Sequence, residues 1–174
     1  MSYYKNYPHI FKPGKIGNLV VPNRIVMAPM GTGHTGPDLR FSEELIKFYV
    51  ERAKGKTGMI ISECCSVAPQ IDPFPLVTGT PRLDGPDKIA RLAQYVERVE
   101  SYGTVAALQM TLGMGRQADA PTLKTPVSAS ECPAQYDPSV TCRALTKEEI
   151  HTMIECAGRA AGYALTAGIK LIEV

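Results

Sequence analysis

Gln109 lies in Ala107-Leu108-Gln109-Met110-Thr111, where its neighbours are apolar and a side-chain amide needs partners. A carboxamide offers a donor and an acceptor together, so Gln109 can meet a ligand edge that presents both, or satisfy adjacent loop backbone. Thr32 follows an apolar run, Ile25-Val26-Met27-Ala28, that stops at Pro29-Met30 and gives way to Gly31 and Gly33. Its hydroxyl can bond a ligand carbonyl or its own turn backbone. Pro29 cannot donate to a ladder, and the glycines let the backbone come close to another group. The stretch therefore reads as a buried strand ending at a ligand, with an ordinary strand and turn as the alternative. Cys64 and Cys65 close a second apolar run; a reactive thiol needs positive charge nearby, and Glu63 is adjacent. His34 and Arg116 are loop residues that can reach an anionic substrate or cofactor, or stay solvated.

These residues must be held by elements that the rest of the pattern describes. Residues Tyr7 to Val21 carry Pro13-Gly14 and Gly17-Asn18 between short apolar pieces, which predicts a hairpin. Ile25 to Ala28 is continuously apolar, as in a parallel strand covered on both faces. Ser42 before Glu43 and Glu44 starts a helix whose Leu45, Ile46, Tyr49, Val50 and Ala53 share one face, ending near Gly55. Gly58 to Glu63 is a second strand. Asp72 to Pro86 is a loop, and Ile89, Leu92, Val96 and Val99 mark a second helix before Gly103 and a third strand, Thr104 to Thr111. Leu112 to Leu145 shows no period and carries Pro121, Pro126, Pro133 and Pro138; a connection this long is usually functional. Thr146-Lys147-Glu148-Glu149 is a capping box opening a helix with Ile150, Met153, Ile154, Ala157 and Ala161 on its apolar face, stopping at Gly168. Ile169 to Val174 is a fourth strand. Strands separated by such helices pair in parallel through right-handed crossovers.

Composition excludes several classes. The 174 residues carry 19 basic and 17 acidic side chains, no footprint for nucleic acid. No apolar run approaches a membrane span, and no signal-peptide core follows Met1, so a soluble cytoplasmic protein is expected. The five cysteines include no C-x-x-C pair, so neither a disulfide framework nor a metal site is indicated, and reduced thiols are the default.

Asn23, Arg24, Ile25, Met27, Pro29 and Met30, preceded by Phe11-Lys12-Pro13 and Gly17-Asn18-Leu19, match an N-R-[IV]-x-M-x-P-M pattern. The chain thereby resembles the old yellow enzyme family, flavin-dependent ene-reductases. Gln109 followed by Gly115-Arg116 also fits, and the Met110 to Met114 insert resembles the enoate reductase and bile-acid-inducible branch. Thr125-Pro126-Val127-Ser128-Ala129-Ser130 resembles the family's A-P-S-A segment. The resemblance implies the N-terminal half of a TIM (β/α)8 barrel: four parallel strands after a hairpin, with 1–174 a partial FMN-binding domain.

It also implies FMN as cofactor and NADH or NADPH as reductant. Ala28, Pro29, Met30, Gly31, Thr32, Cys64 and Gln109 would then face the flavin, Gln109 at its pyrimidine edge and Thr32 at the carbonyl beside N5. Relatives place a threonine or cysteine two positions after the proline; here Gly31 stands there and Thr32 comes one later. His34 and Arg116 would face the substrate, an enone or enoyl thioester. The substrate-holding histidine, the proton donor and the phosphate grip are expected beyond Val174, and an iron–sulfur cluster only in a longer parent. An eight-stranded barrel takes about 250 residues, so a fragment is expected, inactive alone. A complete doubly wound α/β protein is the competing fold. A non-catalytic half-barrel that self-associates through its open edge is the competing function.

Overall fold

Apolar runs and helix-period segments alternate along the chain, and each helix returns the chain to begin the next parallel strand. The computed structural model describes residues 3–73, 79–118 and 125–174. Met1, Ser2, Pro121 and the 74–78 part of the Asp72–Pro86 loop lie outside the described residues. In chain order the elements are α1 (Tyr3–Asn6), β1 (Gly14–Ile16), β2 (Leu19–Val21), β3 (Val26–Met27), α2 (Glu43–Lys54), β4 (Met59–Ser66), α3 (Ile89–Glu100), β5 (Val105–Thr111), β6 (Val127–Ser128), β7 (Cys132–Pro133), β8 (Thr141–Ala144), α4 (Lys147–Thr166) and β9 (Ile172–Glu173).

β1 and β2 form the expected antiparallel hairpin, turned at Gly17 with φ 56°. β3, β4, β5 and β9 form one sheet in that order, with every neighbouring pair parallel. The order is the chain order and never reverses, whereas a doubly wound sheet needs a switch point. The architecture is therefore a partial TIM barrel with a preceding hairpin. Among the described residues no helix is long and apolar enough to cross a membrane.

The helices sit as their sequence predicts where burial is decided by large side chains. In α2 the Ser42 hydroxyl accepts the Leu45 N–H at 2.9 Å, and Leu45, Ile46, Tyr49, Val50 and Ala53 are all buried. In α3 Leu92, Val96 and Val99 are buried together with Tyr95, which the period also allows, while Ile89 at the first position of the helix is only half-buried against the core. Tyr49 and Tyr95 meet edge to face, ring centroids 5.2 Å apart, in the middle of this core. The Tyr95 hydroxyl lies 3.1 Å from both the Ile60 and Ala107 carbonyls, so one buried donor ties β4 to β5.

Four expectations are corrected. The Ile25 to Ala28 run is not a fully buried strand: only Val26–Met27 enters the ladder, and Ile25 and Val26 are 42% and 44% exposed. Among the described residues β3 is paired on one side only, to β4, and an apolar run at a sheet edge keeps one flank open. Leu112 to Leu145 is not structureless: it holds a 3-10 turn at Gly115–Gln117 and a small sheet in the order β6-β8-β7. Strands of two to four residues are too short to show a period, and Pro133 sits on the outer strand, where a missing N–H costs little. The buried face of α4 is Met153, Cys156, Ala160 and Ala164, while Ile150 and Ile154 are 40% and 58% exposed. Small residues let the helix lie close to the core, so the alanines, and not the isoleucines, set its rotation. Of the fourth strand only Ile172–Glu173 pairs with β5.

The capping box forms as its spacing predicts: Thr146 Oγ1 accepts the Glu149 N–H at 3.1 Å and Glu149 Oε2 accepts the Thr146 N–H at 2.9 Å. Arg143 also donates to both Glu149 oxygens, at 2.8 and 2.6 Å. The Arg143 guanidinium, with the Thr146 amide, lowers the Glu149 pKa to about 2. A carboxyl depressed in the folded state adds stability that is fully present above its unfolded value and is lost as pH falls through the folded one. The melting temperature should therefore carry a small component that disappears between about pH 4.5 and about pH 2. Thermal melts of wild type and Glu149→Gln over this range check it: the difference between the two should shrink as pH falls, and a constant difference refutes it.

Candidate functional site

The C-terminal ends of β3, β4 and β5 carry the polar groups that the apolar runs were expected to present. A register shift in β4 starts the construction. Ile61 pairs with Ala107 and Cys64 with Gln109, so Ser62 and Glu63 together stand opposite Leu108. Such a bulge turns the strand and re-aims side chains. It also frees the Glu63 N–H from the ladder, and the Tyr49 hydroxyl accepts it at 2.7 Å. Burial pushes the Tyr49 phenol well above its ordinary pKa, so it stays neutral in this role.

The bulge delivers Glu63, 3% exposed, to the turn that follows β3. Its two oxygens accept the Thr32 N–H at 2.6 Å and the Thr35 hydroxyl at 3.1 Å. Thr32 Oγ1 in turn accepts the His34 N–H at 3.2 Å. That bond uses an acceptor lone pair of the hydroxyl and leaves its proton to donate elsewhere. The His34 carbonyl accepts from the Ser42 hydroxyl at the start of α2, so the turn is tied to a strand on one side and a helix on the other.

Cys64, Gln109 and Glu173 form one row across β4, β5 and β9. Gln109 Nε2 donates to Glu173 Oε1 at 2.7 Å. The bond fixes the amide plane and leaves one N–H and the carbonyl of Gln109 for another partner. The Cys64 thiol has its pKa raised by burial and by the Glu63 carboxyl, so it is not a ready thiolate, and Cys65 is fully buried.

The structure thus brings Thr32, Cys64 and Gln109 to one end of the sheet, with Ala28, Pro29, Met30 and Gly31 leading into the turn; Met30 is 53% exposed. A Cβ built on Gly31 or Gly33 meets nothing within 4 Å, so both glycines face open space. His34 and Arg116 stand apart from this row. The His34 ring lies 6.0 Å from Phe48 on α2, and Arg116 is on the 3-10 turn beside the β7–β8 pair, where its carbonyl accepts the Gln135 N–H at 2.8 Å. Among the described residues no group of three or more His, Cys, Asp or Glu could hold a metal ion.

Glu63, Tyr49 and Glu173 are the parts that the sequence reading left without a role. A carboxylate at the end of an apolar strand was the available signal for Glu63, since a buried charge needs donors. Nothing in the sequence announces the bulge that aims it.

The donor and acceptor set fits a flavin ring. A pyrimidine edge presents an N–H beside carbonyls, and Gln109 has an acceptor and an N–H to spare. A carbonyl near Thr32 could take its free hydroxyl proton.

The chain is 37% identical over 172 residues to the cinnamate reductase of Clostridium sporogenes, covering 97% of the chain and 26% of the relative. It is 33% identical over 168 residues to an NADPH dehydrogenase of Halalkalibacterium halodurans, covering 95% and 47%. It superposes on morphinone reductase in complex with tetrahydroNAD with a TM-score of 0.82 at 29% identity, covering 96% of this chain and 49% of that one. The chain thus spans about a quarter to a half of these relatives' length. The profile of the NADH:flavin oxidoreductase / NADH oxidase family matches residues 9–174, and the chain belongs to that family.

Proposed function

We propose that this chain is the flavin-facing N-terminal part, residues 1–174, of an FMN-dependent ene-reductase, a flavoprotein oxidoreductase of the cytoplasm. The observation that carries the reading is the row of Cys64, Gln109 and Glu173 beside Thr32, at the strand ends where barrel enzymes build their sites. When bound, FMN would supply hydride chemistry, taking hydride from NADH or NADPH and giving it to the activated C=C of an α,β-unsaturated carbonyl compound. Gln109 would hold the pyrimidine edge, its amide pinned by Glu173. The hydroxyl of Thr32 would donate to the adjacent ring carbonyl, its backbone pinned by Glu63. The small thiol of Cys64 would let the ring approach β4, and Ala28 to Gly31 would line its other side. His34 and Arg116 would serve an anionic substrate only from the rim. Similarity to a cinnamate reductase favours an enoate or related enone as substrate.

Ring contacts without a charged anchor for the phosphate lose much of the affinity. In the family reading that anchor belongs to later strands. The 174-residue chain is therefore expected to bind FMN weakly and to show no turnover, while a parent of the relatives' length binds FMN stoichiometrically and oxidises nicotinamide with a simple enone. Fluorescence titration and a nicotinamide oxidation assay on both proteins decide the matter. A parent that binds no FMN sinks the reading, and tight binding with turnover by the short chain sinks the division of labour.

A second reading has an observation of its own. Ile16, Val20, Ile25 and Val26 are 42–53% exposed hydrophobics at the hairpin and at β3, a surface that a second copy could cover. Light scattering of the 174-residue chain should then show dimers or larger species, and a clean monomer counts against it.

A further inference from the structure

We infer that Cys132 and Cys142 form a dithiol site that a low-molecular-weight disulfide such as oxidised glutathione converts reversibly to an intramolecular disulfide. The two residues stand directly opposite each other in the antiparallel pair of β7 and β8. Opposed residues in such a pair share a face with Cα atoms about 4.5–5.5 Å apart, inside the span of about 4.4–6.8 Å that a disulfide requires. The thiols already sense each other: burial, and then the adjacent Cys132 thiol, raise the pKa of Cys142. The other cysteines lack this arrangement. Cys64 and Cys65 are consecutive in β4 and so project to opposite faces, and Cys156 on α4 accepts from Gln70 and Arg159.

Unequal exposure sets the order of events. Cys142 is completely buried and Cys132 is half-buried, so a soluble oxidant reaches Cys132 first. The Cys132 thiol loses its proton, and the thiolate attacks one sulfur of glutathione disulfide. That breaks the S–S bond, forms a mixed disulfide and expels one glutathione thiolate, which takes up the proton. Cys142 then loses its proton, aided by the nearby positive charge of Arg116, and attacks the Cys132 sulfur. The second glutathione leaves and is protonated in its turn. Two protein thiols are oxidised to one disulfide, and one glutathione disulfide is reduced to two thiols. The new bond would close the Pro133–Thr141 loop, whose Gln135 N–H holds the Arg116 carbonyl at 2.8 Å. Oxidation would thereby restrain the segment that leaves the C-terminal end of β5. This inference does not depend on FMN.

The test uses the reduced 174-residue chain, incubated with oxidised glutathione, quenched by alkylation and cut both before aspartates and after arginines and lysines, so that cleavage after Arg143 frees Cys142 from Cys156. Cleavage before Asp137 separates the two cysteines. Non-reducing mass spectrometry is expected to show the Cys132 and Cys142 peptides joined, a species that dithiothreitol removes. In urea the pairing should scatter among all five cysteines, since it depends on the fold. Cys142→Ser and Cys142→Ala should trap glutathione on Cys132, whereas in Cys132→Ser the buried Cys142 should stay unmodified. Two free, alkylated thiols after oxidation of the native chain, or scattered pairing without urea, overturns the site. Equal glutathione capture by Cys142 in Cys132→Ser overturns the order.

Discussion

Glu63→Ala is expected to release the turn after β3 and to lower stability by about 3 kcal/mol, because it strips the Thr32 N–H and the Thr35 hydroxyl of a buried acceptor at once. Hydrogen bonds to a charged group are worth about 1.5–3 kcal/mol each, and some of that is recovered as the turn loosens and admits water. In a domain of this size about 3 kcal/mol lowers the melting temperature by roughly 6–12 °C. The local readout is the Thr32 amide, whose hydrogen exchange should become much faster than in wild type. Glu63→Gln keeps the shape and one acceptor oxygen, and the Thr35 hydroxyl can rotate to accept from the new amide, so this variant should fall between the two. In a flavin-loaded parent the alanine variant should also bind FMN at least about tenfold more weakly, about 1.4 kcal/mol. A Thr32 amide that stays protected in Glu63→Ala would show that the carboxylate does not hold the turn, whatever happens to the flavin.

Gly58→Ala is expected to cost about 3 kcal/mol, the upper end of what overpacking usually costs, for a steric reason and not a conformational one. A Cβ on Gly58 would lie 2.5 Å from the Asn23 carbonyl oxygen and 2.6 Å from its side-chain oxygen. Neither neighbour can easily move. Asn23 Oδ1 accepts the Ile25 N–H at 3.0 Å and its Nδ2 donates to the Lys56 carbonyl at 2.9 Å. Gly58 itself donates to the Ile25 carbonyl at 2.9 Å, and its carbonyl accepts the Val105 N–H at 2.9 Å. The site is therefore where β3, β4 and β5 are drawn together at their starts. Urea unfolding followed by circular dichroism measures the loss. A combined Asn23→Ala, Gly58→Ala variant should recover little, since the backbone oxygen remains in the way. A Gly58→Ala midpoint indistinguishable from wild type would remove the argument.

These two positions differ in how far they could be read from the chain alone. Gly58 opens an apolar run straight after a helix, which places it at a strand start, but a glycine there is equally a plain turn residue. That Asn23 presses on it is a contact across 35 positions of sequence, and no local pattern encodes it. Glu63 is legible as a carboxylate in an apolar strand end. Its partners are not, because they depend on a bulge whose register is set by β5.

The sequence by itself determined the alternation of strands and helices, the Ser42 and Thr146 caps, the buried faces of α2 and α3, and the positions of Thr32, Cys64 and Gln109 at strand ends. Each of these follows from interactions within about one turn or one strand, where period, capping and backbone chemistry act locally. The resemblance carried by residues 23–30 and by Gln109 also pointed to the flavin oxidoreductase family, which the match over residues 9–174 shows. Only the tertiary structure decided the rotation of α4 onto Cys156, Ala160 and Ala164, the exposure of β3, the small sheet of β6, β8 and β7, and the two carboxylates that pin the site. All of these are set by how closely separate segments approach. Close approach depends on small side chains, bulges and shared donors, which hydrophobic periodicity does not register.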